Sequence, residues 1–103
     1  MVDFRDIQAL ADRIAEQFHP ERIILFGSYA AGLPNPDSDV DLLVILPFEG
    51  KSWKMASEIR RQTRPSFPMD LLVRTPEQLR QRLTRHDVFL RDITQRGKTL
   101  YEA

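Results

Sequence analysis

The sequence predicts an α/β fold of the α+β kind: a small mixed β-sheet with helices packed on it, in the order α-β-α-β-α-β-α-α. Short apolar runs rich in β-branched residues (RIILF, DVDLLVIL, MDLLV) alternate with longer stretches whose apolar residues recur at helical spacing. Proline and glycine fall mostly between those runs. A chain of 103 residues, 42% of them hydrophobic, can build one core but not two, so one domain spanning residues 1–103 is expected.

Each element has its own local cause. In residues 3–18, Phe4, Ile7, Leu10, Ile14 and Phe18 share one face of a helix that Asp3 caps and Pro20 follows. Arg22 to Phe26 is a buried strand stopped by Gly27, and GSYAAG is a tight turn entering a short helix. LPNPDS, with two prolines, must be a loop. Asp39 to Leu46 is a second strand, apolar on both faces after its first three residues and therefore central in the sheet. Ser52 to Thr63 suits a helix with Met55, Ile59 and Gln62 along one side. Met69 to Val73 is a third strand, and Thr75-Pro76-Glu77 starts the next helix with proline in its first turn. Helices are expected over Pro76 to Leu83 and His86 to Arg96, with Gly97 as terminator and a last short strand at Thr99 to Tyr101.

Composition narrows the chemistry. Without cysteine there are no disulfides or thiolate metal sites, so a bound metal must use oxygen or imidazole. The longest apolar run, LLVILPF, is too short to cross a bilayer, and the acidic start lacks a signal-peptide core, which predicts a cytoplasmic protein with no membrane contact. Charge balances at 15 basic and 15 acidic residues, which argues against general coating of nucleic acid. From Arg60 onward, however, ten basic residues face five acidic ones, leaving room for a local positive surface.

The residues with chemistry cluster in two places. Asp39 and Asp41 sit two apart in a strand, so both carboxylates project from one face and repel unless a cation lies between them. Oxygen ligands of this kind suit Mg²⁺. Asp70 likewise interrupts an apolar strand near its start. If that strand pairs in parallel with the second, Asp70 lies beside the first pair, where it could ligate a second metal or accept a proton. Upstream, Gly27 lets the backbone approach a ligand, and the following helix start and the Ser28 hydroxyl offer donors to a phosphate.

Gly27-Ser28, ten intervening residues and Asp39-Val40-Asp41 (GSYAAGLPNPDSDVD) resemble the defining motif of the DNA polymerase beta-like nucleotidyltransferase superfamily. The small size, the helix ahead of RIILFGS and the later MDLLV make the chain similar to the minimal nucleotidyltransferase (MNT) group over nearly its whole length. That resemblance implies that Gly27 and Ser28 hold triphosphate oxygens, that Asp39 and Asp41 ligate Mg²⁺, and that Asp70 is the third carboxylate. It further implies ATP as substrate and, as partner, a helical HEPN ribonuclease toxin to which the antitoxin transfers AMP on a tyrosine. At this length no extra acceptor-gripping domain is expected, which agrees with a partner protein supplying the acceptor. Two rivals stay open: a binding module that inhibits its partner by occlusion, and transfer to a small molecule or RNA.

Other polar residues have structural explanations. His19 sits at a helix end, and His86 and Asp87, being adjacent, do not face each other on a helix. Trp53, Phe48 and Phe67 read as packing, and Arg60, Arg61 and Arg64 as a solvated helix face, although guanidinium groups could also meet a triphosphate or an acidic partner. Lys98 and Tyr101 could approach the site only if the last strand joins the sheet.

Overall fold

The computed structural model describes residues 1–103. Its first helix, α1 (Phe4–Phe18), starts where the Asp3 carboxylate accepts from Arg5 N–H at 2.8 Å and ends where His19, at φ 50°, donates its N–H to Ala15 C=O. Ile7, Leu10, Ala11 and Ile14 are its buried stripe. Then follow β1 (Arg22–Phe26), the single turn α2 (Ser28–Ala31), β2 (Val40–Ile45), α3 (Ser52–Thr63), β3 (Met69–Arg74), α4 (Pro76–Thr84), α5 (Val88–Arg96) and β4 (Lys98–Glu102). Thr75 and Gln78 cap α4 reciprocally, each backbone N–H donating to the other's side-chain oxygen at 3.0 Å. Asp87 caps α5 by accepting from Leu90 N–H at 3.0 Å. No helix is long and apolar enough to cross a membrane.

The sheet order is β3-β2-β1-β4, with β2 and β3 parallel and the other pairs antiparallel, so the sheet is mixed, as expected. β2 is internal, as its apolar run demands. Alternation along the strands divides the core into two layers. Ile23, Leu25, Leu42, Val44, Leu71 and Val73 meet α1 and α3 on one face, while Ile24, Leu43 and Ile45 meet Leu79, Leu90 and Ile93 of α4 and α5 on the other. The terminal run forms a full edge strand, β4, paired to β1.

Several local expectations change. Asp39 precedes β2 rather than opening it, and α5 begins at Val88 because Asp87 takes the cap. Gly97 does terminate α5, in an extended conformation (φ −68°). A side chain there would strike the Ile93 carbonyl and Ile24, so the glycine serves close approach to β1. On α3 the buried side is Ile59 and Thr63, while Gln62 faces water and donates to Glu58 at 2.6 Å. Trp53, expected to pack, is 63% exposed in the first turn of α3, where it walls a hollow beside Leu71 and Leu72 of β3. Phe4 is also largely exposed, with the Lys98 ammonium 4.3 Å from its ring centre, which turns Lys98 to α1.

Candidate functional site

β1 ends where β2 and β3 begin, so three strands deliver side chains to one rim of the sheet. In register, Phe26, Asp41 and Asp70 form a row across β1, β2 and β3. Residues paired across neighbouring strands project to the same face, so the Asp41 and Asp70 carboxylates lie side by side, about one strand spacing of 4.8 Å apart at the backbone. Asp39 lies on the same side of the chain one residue before β2, exposed to water.

The electrostatic consequence falls on Asp41. Its partial burial, the adjacent Asp70 carboxylate, a hydrogen bond shared with Asp70 and the more distant Asp39 push its pKa up to about 6. No three acidic or histidine side chains converge closely enough to enclose an ion by themselves. A divalent cation held by one or two carboxylates, with phosphate oxygens and waters completing its shell, still fits this all-oxygen, mutually repelling donor set. It would relieve the repulsion felt at Asp41.

Gly27 completes the cradle. Its backbone, at φ 75° and ψ −154°, is in a region open essentially to glycine alone, and any side chain there would run into the Asp41 carboxylate. The glycine thus makes room for Asp41 as well as for a ligand. Beyond it, Ala31 N–H closes on Gly27 C=O at 3.1 Å, and the N–H groups ahead of it point out of the turn. Because α2 is one turn long, its dipole adds little. Ser28 is half-buried at the start of this turn.

A cleft of about 550 Å³ opens from Gly27 and Asp41, walled by Ala30, Phe89, Asp92 and Arg96. Phe26 and Phe89 meet edge to face with centroids 5.8 Å apart and separate it from a second cleft of about 390 Å³. This second cleft holds Asp41 and Asp70 with Arg60, Leu71 and Leu72. Arg60, read from sequence as solvated, donates to the Met69 carbonyl at 2.6 Å and so stands at the head of β3. Arg61 pairs with Glu58, and Arg64 closes α3 at φ 47°. His19 and His86 stay away from both clefts. His86 lies just beyond the Arg85 cap of α4, at φ 61° and within 3.1 Å of Arg91.

Sequence reasoning missed Phe89, Asp92 and Arg96. They recur at spacings of three and four on α5, mixing an aromatic with charges on the face that also carries Ile93. That mixed stripe was the available signal.

A glycine-floored cleft beside paired carboxylates, on a mixed sheet with helices on both faces, is the architecture of a nucleotidyl-transferring domain. The chain belongs to the nucleotidyltransferase domain family, whose model matches residues 7–100. No curated protein matches it significantly. Among solved structures it resembles a toxin-antitoxin in complex with AMP-PNP (TM-score 0.61, 23% identity, covering 93% of this chain and 73% of the other). It also resembles a Sulfolobus solfataricus protein assigned as a nucleotidyltransferase (TM-score 0.65, 18% identity, 95% and 78% covered). A third likeness is to the toxin-antitoxin MntA-HpeT with two aspartates replaced by glutamate (TM-score 0.58, 20% identity, 93% and 73% covered).

Proposed function

We propose that residues 1–103 form a minimal nucleotidyltransferase domain that transfers AMP from ATP to a hydroxyl of a partner protein, a tyrosine of a HEPN-family helical toxin, and thereby acts as its antitoxin in the cytoplasm. The observation that carries this is the in-register pairing of Asp41 with Asp70 above the Gly27 backbone. Two solved relatives, a toxin-antitoxin with AMP-PNP and MntA-HpeT, support a nucleotide and a toxin as the ligands.

In this reading the triphosphate lies in the cleft floored by Gly27, with Ser28 next to it at the start of α2. The acceptor enters by the second cleft, whose Phe26, Leu72 and Phe89 walls suit an aromatic ring with its hydroxyl toward the carboxylates. The acceptor oxygen forms a bond to the α-phosphorus, the bond from that phosphorus to the β-bridging oxygen breaks, and pyrophosphate leaves. Asp70 takes the acceptor proton. Asp39 and Asp41 would hold Mg²⁺ with Asp70 at their side, and the ion would supply charge neutralisation at the phosphates.

Incubating the chain with α-labelled ATP, Mg²⁺ and a helical partner encoded beside it tests this. Label should reach the partner, and Asp39→Asn and Asp41→Asn should lose transfer by about a thousandfold or more. Inhibition of the partner without label transfer, equally strong with Asp41→Asn, would establish occlusion instead.

A further inference from the structure

β3 is an edge strand with a bare outer side. Val40 N–H donates to Pro68 C=O and Leu46 N–H to Arg74 C=O, both at 3.1 Å. In a parallel ladder this turns the peptide groups of the even-numbered residues of β3 toward β2 and those of the odd-numbered ones outward. Two outward carbonyls are plugged by side chains: Arg60 donates to Met69 C=O at 2.6 Å, and Arg74 to Val73 C=O at 2.8 Å. The N–H and C=O of Leu71 and the N–H of Val73 remain open to a new strand.

Beside this edge three hollows adjoin. The first is the carboxylate cleft with Asp41 and Asp70. The second shares Leu71 and Leu72 with it and is walled by Trp53 and Ala56. The third shares Ser52 and Arg74 with the second and is lined by Gln78, Gln81, Arg82 and Arg85, with neither an apolar side chain nor a carboxylate. Arg82 is held loosely by Asp87 at 4.0 Å, and Arg74 and Arg85 make no ion pair. Paired carboxylates, an exposed indole with only the Lys54 ammonium 5.6 Å from its ring centre, and a guanidinium cluster with a single loose carboxylate contact thus lie in sequence along one strand edge.

We propose that this edge is the docking track for an extended, acidic-ended segment of the partner protein, which adds to β3 as a fifth strand. Its hydroxyl residue lies at Asp41 and Asp70, an apolar side chain fills the Trp53 hollow, and its carboxylates reach Arg74, Arg82 and Arg85. Peptide groups, not phosphates, match the alternating donors and acceptors of a strand edge, and the cluster's charge selects an acidic end. From Asp70 to Arg74 the track runs about 13 Å at about 3.3 Å per residue, so acidic residues are required roughly four positions from the acceptor. The purpose of docking rests on the transfer reading above; the docking itself does not.

The test uses fluorescein-labelled peptides carrying a tyrosine, a central Leu-Val pair and an Asp-Glu end, made in both chain directions, with Lys-ended counterparts. The acidic peptide should bind about tenfold or more tightly than its Lys version and slow amide exchange at Leu71 and Val73. Trp53→Ala and Arg85→Glu, both at exposed positions, should each weaken binding about tenfold while leaving the melting temperature and ATP binding unchanged. Equal binding of acidic and Lys peptides, or unaltered exchange at both amides, would overturn the proposal. So would a dimer in sedimentation that already protects those amides, since the occupant would then be a second copy. Docking without labelling of the bound tyrosine would leave this inference standing and remove the transfer reading. Transfer to the partner undiminished by Trp53→Ala and Arg85→Glu would do the reverse.

Discussion

Replacing Asp41 by asparagine should make the metal-free protein more stable at neutral pH while removing its function. With its pKa pushed up to about 6 by burial and by its acidic neighbours, Asp41 binds its proton more tightly in the folded chain than in the unfolded one, where 3.8 is the ordinary value. Its contribution to stability is therefore complete below about pH 4, falls as pH rises through about 6, and is absent above. At about 1.36 kcal/mol per pH unit the full displacement corresponds to about 3 kcal/mol. Solvent screening at this half-open rim reduces it to about 1–2 kcal/mol. The Asn variant carries no such charge and still offers an amide donor to Asp70. In buffer with EDTA, thermal unfolding at pH 8 should place it about 5–10 °C above the wild type, and the gap should close by pH 4. Contributions from carboxylates remote from Asp41, Asp70 and Asp39 cancel in the comparison. A variant no more stable than wild type at pH 8, or a gap that persists unchanged to pH 4, would refute the account of Asp41.

Gly27→Ala should cost about 1–3 kcal/mol from backbone strain alone, and denaturant melts should show a smaller loss in an Asp41→Ala background, where the clash is gone. Thr75→Ala removes one half of a reciprocal cap and should lower stability by about 1 kcal/mol, seen as a drop of about 4–8 °C in melting temperature. Phe89→Ala forfeits the edge-to-face contact with Phe26, about 0.5–1.5 kcal/mol, and opens both clefts to water. Because burial is the first cause of the raised Asp41 pKa, carboxyl titration by NMR should then find it lowered toward the ordinary range.

Much of this was legible in the chain because the strands and α1 repeat their pattern without interruption. RIILF and LLVIL are too short and too β-branched for anything but buried strands, and the Asp41–Asp70 juxtaposition followed once β2 and β3 were parallel. What stayed hidden depends on tertiary placement. The mixed stripe on α5 marks Phe89 and Arg96 as sharing a face but not that this face meets the cleft, and nothing in the sequence of α3 reveals that Trp53 stays exposed. Gly97 ends α5 where the sequence places the terminator, but the reason a glycine is needed there, the close approach of β1, shows only in the packed structure. Asp39 was assigned to the strand because alternation continues through it, but pairing begins one residue later.

β1 is hydrogen-bonded on both sides, and its two companions come from distant parts of the chain. β2 follows it closely, whereas β4 is the ninth and last element, fastened also by Ala103 N–H to Glu21 C=O at 2.9 Å and by Gln8 to the Leu100 carbonyl at 3.0 Å. During synthesis Arg22–Phe26 therefore spends most of its time with one flank unsatisfied, a sticky apolar ribbon able to recruit other nascent chains. That flank is covered only once Lys98–Glu102 has emerged and paired with it.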